Sequence, residues 1–325
     1  MPSLSRSFPG AWLVLAAIGG GCAHMPPTPE SKEPVAAPVA PAPTCQAIQT
    51  ADCGPAGDCS KVEVVGAVCF RAVLPDESLI EMARQYDLGF NEIEAANPGL
   101  DAFVPTVGAT VTIPTAWILP RAGKPGTLVV NLSEMRLYQF PRAAGAPMMF
   151  PVGVGSEGWA TPLGTFSVIQ KQVNPRWYPP ASIRREEPDL PAMVPPGPDN
   201  PLGTHSLRLS KGSILIHGTD KPFGVGRKAS HGCLRLYPED IPLLFERVPV
   251  GTQVTIVREP VKVGVRAGRV YVEVHADEDS KLDPLAEAKR LLTKRGLLGS
   301  ADAQKIDAAV KEARGFPVDV SIDRS

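Results

Sequence analysis

Two histidines and one cysteine lie close together late in the chain, in Ile216-His217-Gly218 and then Ser230-His231-Gly232-Cys233-Leu234-Arg235. Cys233 stands apart, because Cys22, Cys45, Cys53, Cys59 and Cys69 all precede residue 70. A thiol kept single in a chain that otherwise reads as oxidised is kept for its chemistry. The thiolate is the reactive form, and a neighbouring imidazole accepts the thiol proton. The pattern predicts an acyl-transfer site with Cys233 as nucleophile and His217 as general base. Gly232 permits a tight turn that would aim the N–H groups of His231, Gly232 and Cys233 at a developing oxyanion. Ser230 supports that turn or touches substrate, and the Arg235 guanidinium suits a substrate carboxylate. His205 and His275 read as surface or packing residues. Zinc held by His217, His231 and Cys233 is a rival reading, but the chain has no helical H-E-x-x-H and no acidic base near this stretch. No cofactor or metal is expected.

Short strands separated by Gly and Pro turns must position these groups. Strand-like runs occur at Thr127–Leu132, Met135–Phe140, Met149–Gly155, Thr165–Ile169, Ser213–Ile216 and Gln253–Val257. The helix from Pro238 to Val248 is the one convincing helix among them. The expectation is a mostly β catalytic domain over 126–258, a sandwich or partly closed barrel. A β extension follows over 259–277, then an amphipathic helical tail over 283–325 with Gly296 and Gly299 between its halves. The long segment Asn174–Pro201 lacks periodicity and reads as a lid or binding loop, with Trp177, Tyr178 and Arg184 as candidate groove residues.

The first 22 residues read as an export signal: Arg6, an apolar run Ala11–Ile18 too short to span a bilayer, then Gly19-Gly20-Gly21-Cys22. Small residues before a cysteine resemble a bacterial lipobox, which implies lipidation of Cys22; the Leu common three residues earlier is Gly19 here. Residues 23–44, rich in Pro, Ala and Val, form a tether. Cys45, Cys53, Cys59 and Cys69 predict two disulfides in a lead-in over 45–69, with three pairings open; the alternative is zinc held by all four thiols, although the spacing lacks the paired C-x-x-C form. Lys+Arg number 33 and Asp+Glu 34, a net charge of −1 that excludes a basic nucleic-acid-binding surface as the dominant feature.

Residues 70–115 carry a β-α-α-β pattern with Asp76-x-Ser78-Leu79, Ala83, Tyr86, Ala96-Asn97-Pro98-Gly99-Leu100 and Val107-Gly108-x-x-Val111-x-Ile113-Pro114. This order resembles a LysM module, which implies binding of N-acetylglucosamine-containing glycans. The later order Thr161-Pro162-x-Gly164-x-Phe166, Ile216-His217-Gly218, Ser230–Arg235 and Val250-Gly251-Thr252-x-Val254 resembles the YkuD-type L,D-transpeptidases, above all the periplasmic group with a LysM-like module. The resemblance implies that Cys233 attacks a peptidoglycan tetrapeptide stem, expels the terminal D-alanine and forms a thioester, and that the Gly218 carbonyl orients His217. It implies an amine acceptor, either a second stem or a lysine of an outer-membrane lipoprotein, and acylation of Cys233 by carbapenems. Hydrolysis through the same cysteine is the alternative. The expected partners are peptidoglycan and, through a lipid anchor, a membrane, in the periplasm; nucleic acid is not among them.

Overall fold

The computed structural model describes residues 62–143 and 145–323. The signal segment, the tether, Cys22, Cys45, Cys53 and Cys59 lie outside the described residues. Cys69 is disulfide-bonded. Among the described residues no helix is long and apolar enough to cross a membrane.

A lead unit comes first: β1 (Val64–Gly66), β2 (Cys69–Ala72), α1 (Leu79–Gln85), α2 (Phe90–Ala96), β3 (Thr110–Ile113) and β4 (Ala116–Ile118). β2 pairs with β3 and β1 with β4, both antiparallel. α1 begins after Ser78, whose hydroxyl accepts from the Glu81 N–H at 3.2 Å and satisfies one free donor of the first turn. A turn closed by Glu77 N–H on the Leu74 carbonyl at 3.4 Å precedes the helix. Asn97 ends α2 and ties it to β3, donating to Ile93 and Thr112 carbonyls at 2.8 Å and accepting from Thr112 N–H at 2.7 Å.

The central domain contains β5 (Leu128–Asn131), β6 (Arg136–Gln139), β7 (Met148–Pro151), β8 (Val154–Gly155), β9 (Gly164–Val173), α3 (Ala181–Glu186), β10 (His205–Leu209), β11 (Leu215–His217), β12 (Lys228–Ser230), β13 (Leu234–Arg235), α4 (Asp240–Arg247) and β14 (Gln253–Val257). Eight of these strands form one mixed sheet in the order β13-β11-β10-β9-β14-β5-β6-β7. The mostly β reading thus describes this domain. β5–β14 and β11–β13 are parallel pairs; the rest are antiparallel.

Both faces of this sheet are covered where β5, β6 and β7 lie. Leu128, Val130, Leu137 and Phe150 join the main core with Ile241 and Leu244 of α4. Val129, Tyr138 and Met149, directly paired across the three strands, point the other way and join a core with Leu79, Met82, Ile93 and Trp117 of the lead unit. That double burial explains why all four residues of β5 are buried, where a half-exposed strand would alternate.

A buried ion pair crosses the same contact. Glu92 of α2 accepts from Arg136 Nε at 2.9 Å and from Trp117 Nε1 at 2.9 Å, and both charged side chains are fully buried. The lead unit is thus packed on the central sheet, sharing a core and a buried ion pair with it.

The chain ends with β15 (Val261–Arg266), β16 (Arg269–Val274), α5 (Pro284–Lys294), α6 (Ala303–Glu312) and β17 (Val318–Asp319). β17 adds a third strand to the β15–β16 hairpin, so the tail beyond 283 is two helices followed by a strand. Lys262 of β15 is buried with its ammonium 2.7 Å from Glu134 and 2.8 Å from Glu273.

Candidate active site

Three neighbouring strands at one edge of the sheet bring the predicted groups together. The register pairs Leu207 with Ile216 and Ile216 with Leu234, and these three side chains enter the main core. Strand alternation then turns the flanking residues to the opposite face. Ser206 and His217 are paired there, as are Arg208 with Leu215 and His217 with Arg235. Cys233 stands two residues before Arg235, at the head of β13, and so shares this face. Its sulfur is 3.8 Å from the Ser213 carbonyl. Imidazole and thiol thus come from adjacent parallel strands, 16 positions apart in the numbering.

His217 is buried, and its Nδ1 donates to the Gly218 carbonyl at 2.6 Å. That bond places the imidazole proton on Nδ1 and leaves Nε2 as an acceptor. Burial lowers the imidazole pKa from 6.5 to about 4, the Arg235 charge adds to the drop, and the carbonyls of Gly218 and Pro201 oppose it. Burial likewise raises the Cys233 thiol above its ordinary value, against a backbone hydrogen bond from Leu215 and the charges of Arg235 and Arg208. His217 and Cys233 therefore both rest neutral at pH 7.

The turn carrying Cys233 is held from outside. Gly232 has φ +94°, a conformation open mainly to glycine. Ser230 Oγ donates to the Cys233 carbonyl at 2.6 Å. Thr161 Oγ1 donates to the Gly232 carbonyl at 3.1 Å and accepts from Gly155 N–H. Ser156 N–H donates to the Ser230 carbonyl at 2.8 Å. Ser230 is itself buried, and its hydroxyl is spent on the turn. Below the turn, Leu236 N–H donates to the His217 carbonyl at 2.8 Å, and Gly153 and Arg235 exchange two backbone bonds.

Residues 125–256 match the YkuD model, the L,D-transpeptidase catalytic domain. The chain is 38% identical over 272 residues to the probable L,D-transpeptidase YcfS of Escherichia coli (strain K12), covering 79% of this chain and 85% of that protein. It is 39% identical over 251 residues to the probable L,D-transpeptidase YbiS of the same strain, covering 73% and 81%. It is 36% identical over 264 residues to the probable L,D-transpeptidase ErfK/SrfK of Salmonella typhimurium (strain LT2), covering 76% and 84%. The chain belongs to the L,D-transpeptidase family.

In this L,D-transpeptidase the segment 174–201 reaches the site through a residue the sequence reading did not single out. Glu186, the last residue of α3, accepts from His231 Nε2 at 2.9 Å, and Trp159 packs against the same imidazole with the rings tilted by 52° and their centroids 4.9 Å apart. The His231 side chain is thus committed to neighbours. Trp177 exchanges backbone bonds with Val194, Tyr178 is largely exposed, and Arg184 donates to the Pro179 carbonyl. Among the described residues no hydrogen bond joins these three side chains to Cys233. Buried Asn200 staples the base of the segment, donating to the Pro175 and Pro195 carbonyls.

Arg208 was also missed, although the alternation in His205-Ser206-Leu207-Arg208-Leu209 puts it opposite the two leucines. Arg235 carries a buried Nε without a hydrogen-bond partner among the described residues. Both guanidinium charges act on the thiol.

The metal-ligating side chains that converge among the described residues are Glu134, Glu273 and His275, far along the chain from Cys233. The Lys262 ammonium already sits against both carboxylates. Burial works against that ammonium, and Glu134 and Glu273 overcome it, so its pKa stays above the ordinary lysine value. His217, His231 and Cys233 do not converge as a zinc site would, because His231 is turned to Glu186.

Proposed function

We propose that the enzyme transfers the acyl group of a peptidoglycan tetrapeptide stem to an amine through a thioester on Cys233. The observation that carries the reading is the His217–Gly218 hydrogen bond at 2.6 Å, on a strand paired with the one that Cys233 leads into, which puts the ring proton on Nδ1 and makes Nε2 the nitrogen that takes the thiol proton. Attack of Sγ on the stem carbonyl moves that proton to Nε2. Collapse breaks the peptide bond, and the departing D-alanine amine takes the proton from Nε2. The acceptor amine then attacks the thioester, gives its proton to Nε2, and the thiol is restored as the new amide forms.

The outward carbonyls of Ser230 and Gly232 support the oxyanion assignment. A planar trans peptide points its N–H opposite its C=O, so anchoring those carbonyls on Ser156 and Thr161 turns the N–H groups of His231 and Cys233 toward the reacting side. Arg235, with Arg208 beside it, would receive stem carboxylates. The acceptor is a second stem, giving a crosslink, or a lysine of an outer-membrane lipoprotein. The chain works in the periplasm, and lipidated Cys22 would tether it to a membrane. The lead unit acts as a LysM-like glycan-binding element. A groove of about 710 Å³ supports this, with exposed Phe103, Val104 and Val107 of the lead unit facing Phe223 of the central domain.

The test is incubation of purified protein with disaccharide-tetrapeptide, read by mass spectrometry. A crosslinked dimer in the wild type and none with Cys233→Ala is expected. Released tripeptide alone would replace transfer with hydrolysis, and turnover by a folded Cys233→Ala protein would end the thioester mechanism.

A further inference from the structure

One turn of the lead unit touches the chain on both sides of the nucleophile. Upstream of Cys233, the N–H groups of Phe90 and Asn91 donate to the carbonyls of Val225 and Gly226, each at 3.2 Å. The Arg227 guanidinium lies 3.6 Å from the centre of the Phe90 ring. Gly226 has φ +75°, and a Cβ there would fall 2.2 Å from the Phe90 nitrogen, so this approach is open only to glycine. Downstream, the Tyr237 hydroxyl donates to the Leu88 carbonyl at 3.0 Å, and Arg84 pairs with Glu239 at 2.6 Å. Arg84 also lies over the Tyr237 ring. Residues 84–91 therefore meet 225–227 and 237–239, and the stretch between those contacts is β12, the Ser230–Cys233 turn and β13.

These two strands are three and two residues long. Such short strands hold little structure by themselves, so the position of the turn between them depends on how its flanks are fixed. We infer that the turn Arg84–Asn91 is a positioning element of the active site, clamping both flanks of the catalytic stretch so that Cys233 stays in line with His217. None of its side chains touches the reacting atoms. The inference rests on Cys233 being the nucleophile, and it deepens that reading: the lead unit contributes to the chemical step as well as to any hold on the wall. Displacement of a reacting group by an ångström costs on the order of a hundredfold in rate, so loosening one flank should show in turnover.

The test uses the full chain and three variants. Phe90→Ala removes the upstream stack, and Tyr237→Phe removes only the downstream hydroxyl. Val111→Ala opens a hole in the lead unit's own core, on β3, away from both contacts. Kinetics on the tetrapeptide are measured at a temperature where circular dichroism shows all three folded, alongside amide hydrogen exchange across 228–235. For Phe90→Ala and Tyr237→Phe we expect kcat to fall about tenfold with KM within about twofold, together with faster exchange in 228–235. Val111→Ala should keep kcat within about twofold and the wild-type exchange pattern. Equal losses in all three would make the unit a general stabiliser and overturn the inference, as would unchanged kcat in both clamp variants. Exchange is read without turnover. A wild type that proved inactive on stems, yet showed the same local exchange response, would therefore condemn the proposed reaction and not the clamp.

Discussion

Acidification separates the possible states of the proposed His217–Cys233 pair. The His217 imidazole sits at about 4 instead of 6.5, chiefly because it is buried. That corresponds to about 3 kcal/mol of preference for the neutral ring. An imidazole at 6.5 would lose roughly eightfold of its neutral form between pH 7 and pH 5.5, whereas one at about 4 loses only a few per cent. If the nucleophile were instead a thiolate formed beforehand by solvent, its amount would fall roughly thirtyfold over the same interval, since the thiol titrates above its ordinary value. The assay is the second-order rate of Cys233 acylation by a carbapenem, followed by intact mass from pH 7 to pH 3.5. We expect a nearly flat rate down to pH 5 and a half-maximal rate at about 4. Imidazole NMR should give the same midpoint, and thiolate absorbance should be absent at pH 7 in the difference between wild type and Cys233→Ala. An eightfold drop by pH 5.5 would refute the burial argument for His217, and a thirtyfold drop would refute proton transfer to it during attack. The same shift acts on stability. Between 6.5 and about 4 the unfolded chain holds a proton that the folded chain refuses, so this group's contribution is present above 6.5 and is lost as the pH falls through about 4.

Asp240 should show the opposite slope. Its carboxyl is pushed up to about 8 by burial, with the charges of Asp87 and Glu239 adding, so the folded chain keeps a proton that the unfolded chain releases near 3.8. Its contribution is complete below 3.8 and is lost as the pH rises through about 8; Asp240→Asn should therefore gain in melting temperature over wild type as the pH is raised from 4 to 8, and a pH-independent difference would contradict this. Lys262→Met leaves Glu134 and Glu273 buried without their cation and should cost about 3–5 kcal/mol in urea unfolding at pH 7. Adding Glu134→Gln and Glu273→Gln should recover most of that loss, and a Lys262→Met protein as stable as wild type would show that the cluster is not held together by the ammonium.

The chemistry was legible in the sequence because it is carried by residue types at short spacing. A lone cysteine behind Ser-His-Gly, with His-Gly upstream, already points to a cysteine acyltransferase and to a glycine turn. Turn residues and apolar spacing are local as well, and they led to a β-α-α-β unit over 70–115 and a β extension over 259–277. What puts His217 and Cys233 on one face is the parallel pairing of β11 with β13, made across a 16-residue loop-out that no local pattern encodes. The same holds for the contact of Glu186 with His231, which arises only when segment 174–201 folds back. Tertiary structure also decided the standing of the lead unit. Its amphipathic helices look self-sufficient in sequence, and Glu92 reads as a surface acid until Arg136 is found opposite it. A charge is buried only where a partner from elsewhere in the chain meets it, so buried pairs of this kind belong to the assembled fold and to no single segment.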